Sequence, residues 1–170
     1  MLMRAENACL MIVDVQQRLL SAMDSPRSVL SGCRLMMKAA DVLDVPIVVT
    51  EQYPEGLGPT VESLAELAPE DAFFSKIHFS SAKNTAIRGK IDTLKPDQIV
   101  IAGIEAHVCV LQSALGFLEQ GYQCFVVADA TSSRSPANHA AAMTRLREAG
   151  VEIVTSEMIV FEWLEKAGTD

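Results

Sequence analysis

Three residues of this 170-residue chain combine reactive chemistry with a suggestive place: the thiol of Cys109, the amine of Lys76 and the carboxylate of Asp14, each next to an apolar run. Cys109 lies just past the run at 98–103, where a helix is about to begin. Free N–H groups at a helix start stabilise a thiolate and can hold an oxyanion on an attacked carbonyl. A core cysteine on a first helical turn is the competing reading, and position alone does not separate the two. Lys76 is a single cation between Phe73-Phe74-Ser75 and Ile77-His78-Phe79. Enclosed at a strand end it needs an anion, either Asp14 or a thiolate at Cys109; on the surface it needs none. Asp14, in Val13-Asp14-Val15-Gln16, can end a strand, cap a helix starting near Gln16, or act as general base toward the thiol.

The elements that must position these groups follow from hydrophobic periodicity. Short apolar runs at 8–14, 47–50, 73–75, 98–103, 123–129 and 151–155 predict six strands. Helices are expected at 26–43, 61–68, 82–91, 108–119, 136–150 and 156–166. Ser25 and Ser156 suit N-caps, and Pro26 and Pro136 suit first helical positions. Residues 51–60, with two Pro and two Gly, read as a loop. Gly121 and Gly150 sit where a left-handed residue ends a helix and returns the chain to a strand. Repeated helix-to-strand returns mean crossover units and a mainly parallel six-stranded sheet in a single domain over 1–170. Such sheets bind ligands beyond the carboxyl ends of their strands. That places Asp14, Glu51, Lys76, the turn at 104–109, and Asp129 with Thr131 and Ser132 under scrutiny.

Composition narrows the function classes. With 49% hydrophobic residues the chain is not disordered. Fourteen Lys plus Arg against 22 Asp plus Glu give a net charge of −8, which argues against nucleic acid as a partner. The apolar runs are far shorter than the ~20 residues of a membrane span. The start of the chain lacks a secretion signal, so a cytoplasmic location is expected. Four cysteines without CxxC spacing suggest neither zinc nor a disulfide framework, and Cys9, Cys33 and Cys124 read as core. Met36 and Met37 read as packing, and His139 as partly exposed. Gly56-Leu57-Gly58 lacks the spacing of a phosphate loop.

Val13-Asp14-Val15-Gln16, Lys76 and Gly103-Ile-Glu-Ala-His-Val-Cys109 together resemble the Asp, Lys and Cys triad of the isochorismatase-like cysteine hydrolases. Glu51-Gln-Tyr-Pro-Glu-Gly-Leu-Gly-Pro-Thr60 resembles the small single-domain branch. The resemblance covers nearly the whole chain. It implies a doubly wound, Rossmann-like three-layer α/β/α fold. It also implies a thiol mechanism in which Asp14 takes the proton from Cys109 and Lys76 favours the thiolate. The backbone N–H groups of Glu105 and Cys109 then hold the oxyanion, and a thioester forms on Cys109 when an amide-type C–N bond breaks. A cis non-proline peptide is implied at Ile104–Glu105, and dimers or larger homo-oligomers are implied as well. Phe161, Trp163 and Leu164 are candidates for an exposed apolar face.

Members that hydrolyse a vinyl ether have no cysteine at this place, so Cys109 argues against the reaction that names the family. The nicotinamide branch binds metal through histidines between the second and third strands. None lies between Thr50 and Ser75, so no metal and no cofactor are expected. Gln16, Glu51, Tyr53, His78, Phe79, Ile104 and His107 are the candidate lining of a pocket for a small-molecule substrate. A lone His in such a setting is more often a hydrogen-bonded structural residue, which is the competing reading of His78 and His107. Two other functions stay open: a non-catalytic binding protein that keeps the pocket, and a redox-responsive thiol at Cys109.

Overall fold

The computed structural model describes residues 1–168. Its centre is β1 (Ala8–Val13), six residues that are all buried because helices cover both faces of the sheet. Successive side chains alternate between two cores. Leu10 and Ile12 pack with Val29, Cys33, Met36, Met37 and Ala40 of α2 (Pro26–Val42). Ahead of α2 lies a single helical turn, α1 (Gln17–Leu20). Cys9, Met11 and Val13 turn the other way, into the core shared with three helices named below.

The remaining strands are β2 (Ile47–Gln52), β3 (Phe73–Lys76), β4 (Gln98–Ile104), β5 (Gln123–Ser132) and β6 (Glu152–Val154). Their order across the sheet is β3-β2-β1-β4-β5-β6, with every pairing parallel. Between β2 and β3 come the short helices α3 (Pro54–Leu57) and α4 (Glu62–Ala65). On the second face lie α5 (Thr85–Leu94), α6 (Leu111–Glu119) and α7 (Pro136–Glu148), which bring Ile87, Ile91, Phe117, Met143 and Leu146 to the core. α8 (Ser156–Leu164) joins α2 on the first face through Ile159 and Trp163. The doubly wound three-layer α/β/α fold expected from the sequence is therefore present. Gly121 and Gly150 have φ of +95° and +98°, as the helix-to-strand joints require.

Several boundaries differ from the sequence reading, each for a local reason. Residues 51–60 are not a plain loop: β2 runs on to Gln52, α3 follows, and Thr60 forms an antiparallel bridge with Gln16. β5 continues past Asp129 to Ser132 through an irregularity opposite β4, so Asp129 is not a strand end. Its carboxylate accepts instead from the backbone and hydroxyl of Ser156, at 2.8 and 2.7 Å. Ser156, committed to Asp129, is not the cap of α8; Thr155 is, accepting from Met158 N–H at 3.3 Å. Ser25 occupies the cap position of α2, but its hydroxyl donates to Asp24. α5 begins at Thr85 rather than 82, capped by Asn84. Phe161 and Leu164 are exposed, whereas Trp163 is 4% exposed and belongs to the core.

Candidate active site

Strand order decides where a site can form. β1 and β4 are neighbours, yet the chain leaves them toward opposite edges of the sheet, which opens a crevice at their carboxyl ends. Val13 pairs with Thr50 on one side and Gly103 on the other, so Asp14, one residue further, emerges in this crevice. Gly103 is required for the approach. Its φ is +115°, and a Cβ there would collide with the Val13 carbonyl oxygen and lie 2.7 Å from the Val13 nitrogen.

Lys76 ends the edge strand β3, paired in register with Gln52. Its ammonium donates to Asp14 Oδ2 at 2.7 Å, to Gln52 Oε1 at 2.7 Å and to the Phe79 carbonyl at 3.2 Å. The second Asp14 oxygen accepts from the Thr50 hydroxyl at 2.7 Å. Neither side chain of the Lys76–Asp14 pair is exposed. Asp14 is not a helix cap; its backbone has φ of +52°, its N–H donates to the Thr50 carbonyl, and its carboxylate accepts from Thr50 and Lys76.

The peptide between Ile104 and Glu105 is cis, as the resemblance implied. Residues Ala106–Val110 then form a π-helical turn before α6 starts, so Cys109 sits in that turn and not in the first turn of an α-helix. π-turns inside helices cluster at functional sites. The Glu105 carbonyl accepts from Val108 and Val110 N–H, at 3.1 and 3.2 Å, and passes over the amide of Cys109. The Glu105 carboxylate accepts from the backbone N–H and Nε of Arg134, at 3.0 and 3.1 Å. His107 Nδ1 lies 2.9 Å from the Ser133 hydroxyl. The turn is thus braced against the segment that follows β5.

Cys109 is 6% exposed and faces the charged pair. Burial and the Asp14 carboxylate push its thiol up, while Lys76 pulls it down by less. Lys76 thus favours the sulfur anion, as expected, while burial and the Asp14 carboxylate oppose it. Burial pushes Cys124 up to about 12, Cys9 as far against a pull from Lys90, and Cys33, with Asp129 nearby, equally far. These three belong to the cores, as expected.

The other candidates divide. A cavity of about 660 Å³ borders Lys76 and is lined by Tyr53, Ser75, Ile77, His78 and Asn84. Tyr53 and Phe79 are about half exposed at its side of the molecule. Ile104 is buried in β4. Gln16 and Glu51 do not join the reactive cluster. Gln16 spends both ends of its amide on Gln52 and Gly58 backbone, and Glu51 accepts from the N–H and hydroxyl of Thr60. Sequence reasoning missed Thr50, Gln52 and Arg134. The first two left a signal, polar residues two apart in a buried strand. Among the described residues, no three His, Cys, Asp or Glu side chains are placed to hold a metal ion. No helix there is long and apolar enough to cross a membrane.

Residues 8–158 match the isochorismatase domain. The chain belongs to the isochorismatase family. Isochorismatase family protein 1B of Dictyostelium discoideum is 37% identical over 161 residues, covering 92% of this chain and 78% of that one. The solved MAR1 ribonuclease from Caenorhabditis elegans superposes with a TM-score of 0.93 at 33% identity, over 98% of this chain and 86% of that one. YcaC from Pseudomonas aeruginosa, solved with hexane-2,5-diol and covalent acrylamide, gives a TM-score of 0.93 at 25% identity, over 97% and 84%. The isochorismatase fold thus accounts for nearly the whole of this chain.

Proposed function

We propose that the protein is a cysteine hydrolase of small amide-type C–N bonds, with Cys109 as nucleophile, Asp14 as base and Lys76 as electrostatic organiser. The observation that carries the reading is the buried Lys76–Asp14 pair at the carboxyl end of β1, acting on the thiol of Cys109. A thiol attacks a carbonyl as its proton leaves, and Asp14 is the acceptor for that proton. The sulfur attacks the carbonyl carbon as its proton passes to Asp14. The resulting oxyanion is held by the N–H groups of Glu105 and Cys109, the latter passed over by the Glu105 carbonyl. The C–N bond breaks, the amine leaves with the proton from Asp14, and an acyl thioester remains on Cys109. Water attacks the thioester, Asp14 takes its proton, and the thiol is restored as the acid departs.

The covalent acrylamide in the P. aeruginosa relative is consistent with a nucleophilic side chain in that protein, since acrylamide is captured through its vinyl carbon. The net charge of −8 favours a small substrate over a polyanion. A non-catalytic binding role has one feature on its side, the burial and the Asp14 carboxylate that together disfavour a sulfur anion on Cys109. A panel of small amides and ureides, with mass spectrometry of intact protein, separates the two. The hydrolase gives an acyl adduct on Cys109 and released amine, both lost in Cys109→Ala. Turnover that survives in Cys109→Ala overturns the assignment, and neither adduct nor turnover with any member of the panel favours the binding role. Self-association is part of the proposal, on the exposed apolar side chains of Phe161 and Leu164. Size-exclusion with light scattering tests it, and a monomer at micromolar concentration refutes it.

A further inference from the structure

Gln52 is the last residue of β2 and is nearly enclosed, at 8% exposure. Its Oε1 accepts from the Lys76 ammonium at 2.7 Å, and its Nε2 donates to the Ile77 carbonyl at 2.6 Å. Its backbone is bracketed by one side chain: Gln52 N–H donates to Gln16 Oε1 at 2.8 Å, and Gln16 Nε2 donates to the Gln52 carbonyl at 3.0 Å. Gln16 Nε2 also donates to the Gly58 carbonyl at 2.7 Å. Every proton of the Lys76 ammonium is thereby assigned, to Asp14, Gln52 and Phe79.

An ammonium on a four-carbon stem is free to rotate and to swing unless several acceptors fix it. The two short bonds here go to Asp14 and Gln52. The two acceptors differ in kind: Asp14 cancels charge, whereas the neutral Gln52 amide holds the ammonium without cancelling it. The same amide is tied to 77–79 through the Ile77 carbonyl, and the backbone of Gln52 is tied through Gln16 to the Gly58 carbonyl.

We infer that Gln52 is a positioning residue: it fixes the Lys76 ammonium beside Asp14, keeps that positive charge available to a sulfur anion on Cys109, and couples it to the segments that border the cavity. The inference rests on the reading of Cys109 as nucleophile. With an apolar side chain at 52 the ammonium loses a neutral anchor, leans on Asp14 and supports the sulfur anion less.

The test compares Gln52→Met with Gln16→Met in the otherwise intact chain. Both remove an amide from one network, but only Gln52 touches Lys76. The readout is the rate constant for alkylation of Cys109 by iodoacetamide from about pH 7 to about pH 9, followed by peptide mass spectrometry. It needs no substrate, and its dependence on pH reports the ease of forming the sulfur anion. The expected result is a fall of about tenfold across this range in Gln52→Met, equivalent to a thiol pKa raised by about one unit. The rate profile of Gln16→Met stays that of the unaltered protein, whatever its thermal stability. Equal profiles for Gln52→Met and the unaltered protein overturn the positioning role alone, and equal losses in both variants do the same, since they report a merely structural network. Failure of Cys109 to form an adduct with both iodoacetamide and every member of the amide panel overturns the nucleophile reading and this inference with it.

Discussion

Lys76 and Asp14 meet at 2.7 Å with neither side chain exposed to solvent, although they are 62 positions apart in the chain. A pair enclosed in this way holds each partner hostage. Two charges withdrawn from water are tolerated because they have each other, and either one alone is costly.

Lys76→Met is therefore expected to destabilise the protein by about 3–5 kcal/mol in urea unfolding at neutral pH. The double variant Asp14→Leu with Lys76→Met recovers a large part of that loss, since no unpaired charge remains. Additive losses in the double variant contradict the account of a mutually dependent pair.

Stability is expected to fall steeply in alkali. The thiols of Cys9, Cys33 and Cys124 are pushed from an ordinary 9.0 up to about 12, and Cys109 is raised as well. Above pH 9 the unfolded chain gives up these protons while the folded chain keeps them. The stabilising contribution is thus complete below that value and is lost as pH rises toward 12. Each thiol contributes a slope of about 1.4 kcal/mol per pH unit in that window. Urea midpoints at about pH 8 and about pH 10 measure it. Cys124→Ala makes the curve shallower by one thiol's share, and an unchanged slope in that variant contradicts the assignment.

Gly103→Ala is expected to cost more than about 2 kcal/mol, because the added carbon meets Val13 backbone and φ of +115° disfavours any side chain. The β1–β4 crevice carries the strain, so labelling of Cys109 changes together with stability. A variant as stable as the parent, with the same labelling rate, contradicts the close approach.

Trp163 offers a test of polar bookkeeping in the core. Its indole Nε1 is the only buried side-chain polar atom without a hydrogen-bond partner among the described residues. Trp163→Phe removes that donor while giving up some apolar area, so the two effects oppose each other and the net change stays within about 1 kcal/mol. A loss above about 3 kcal/mol, the size of a deep cavity's cost, contradicts the expected balance of the two effects.

The sheet was legible in the sequence because a strand buried on both faces has to be apolar throughout, as Ala8–Val13 and Gln98–Ile104 nearly are. The places of Asp14, Lys76 and Cys109 followed from the ends of those strands. What surrounds them did not, because it depends on register and side-chain direction. Gln52 reaches Lys76 because the two residues pair across β2 and β3, and Gln16 reaches Gln52 across 36 positions of chain. Glu51, next in sequence to Gln52, turns to Thr60 instead. The charge of Lys76 beside Cys109 was visible as a residue type, whereas the opposing weight of burial and of Asp14 exists only in the folded molecule.

The split between β1 and β4 separates two kinds of evolutionary freedom. The reactive thiol and its charged neighbours are anchored on the sheet and on a turn braced by Arg134, where almost any substitution disturbs packing. Tyr53, Ile77 and His78, on segments that border the cavity, face solvent and carry little of the core. Selection can reshape that cavity without disturbing the sheet, so the lining and the scaffold are free to vary independently.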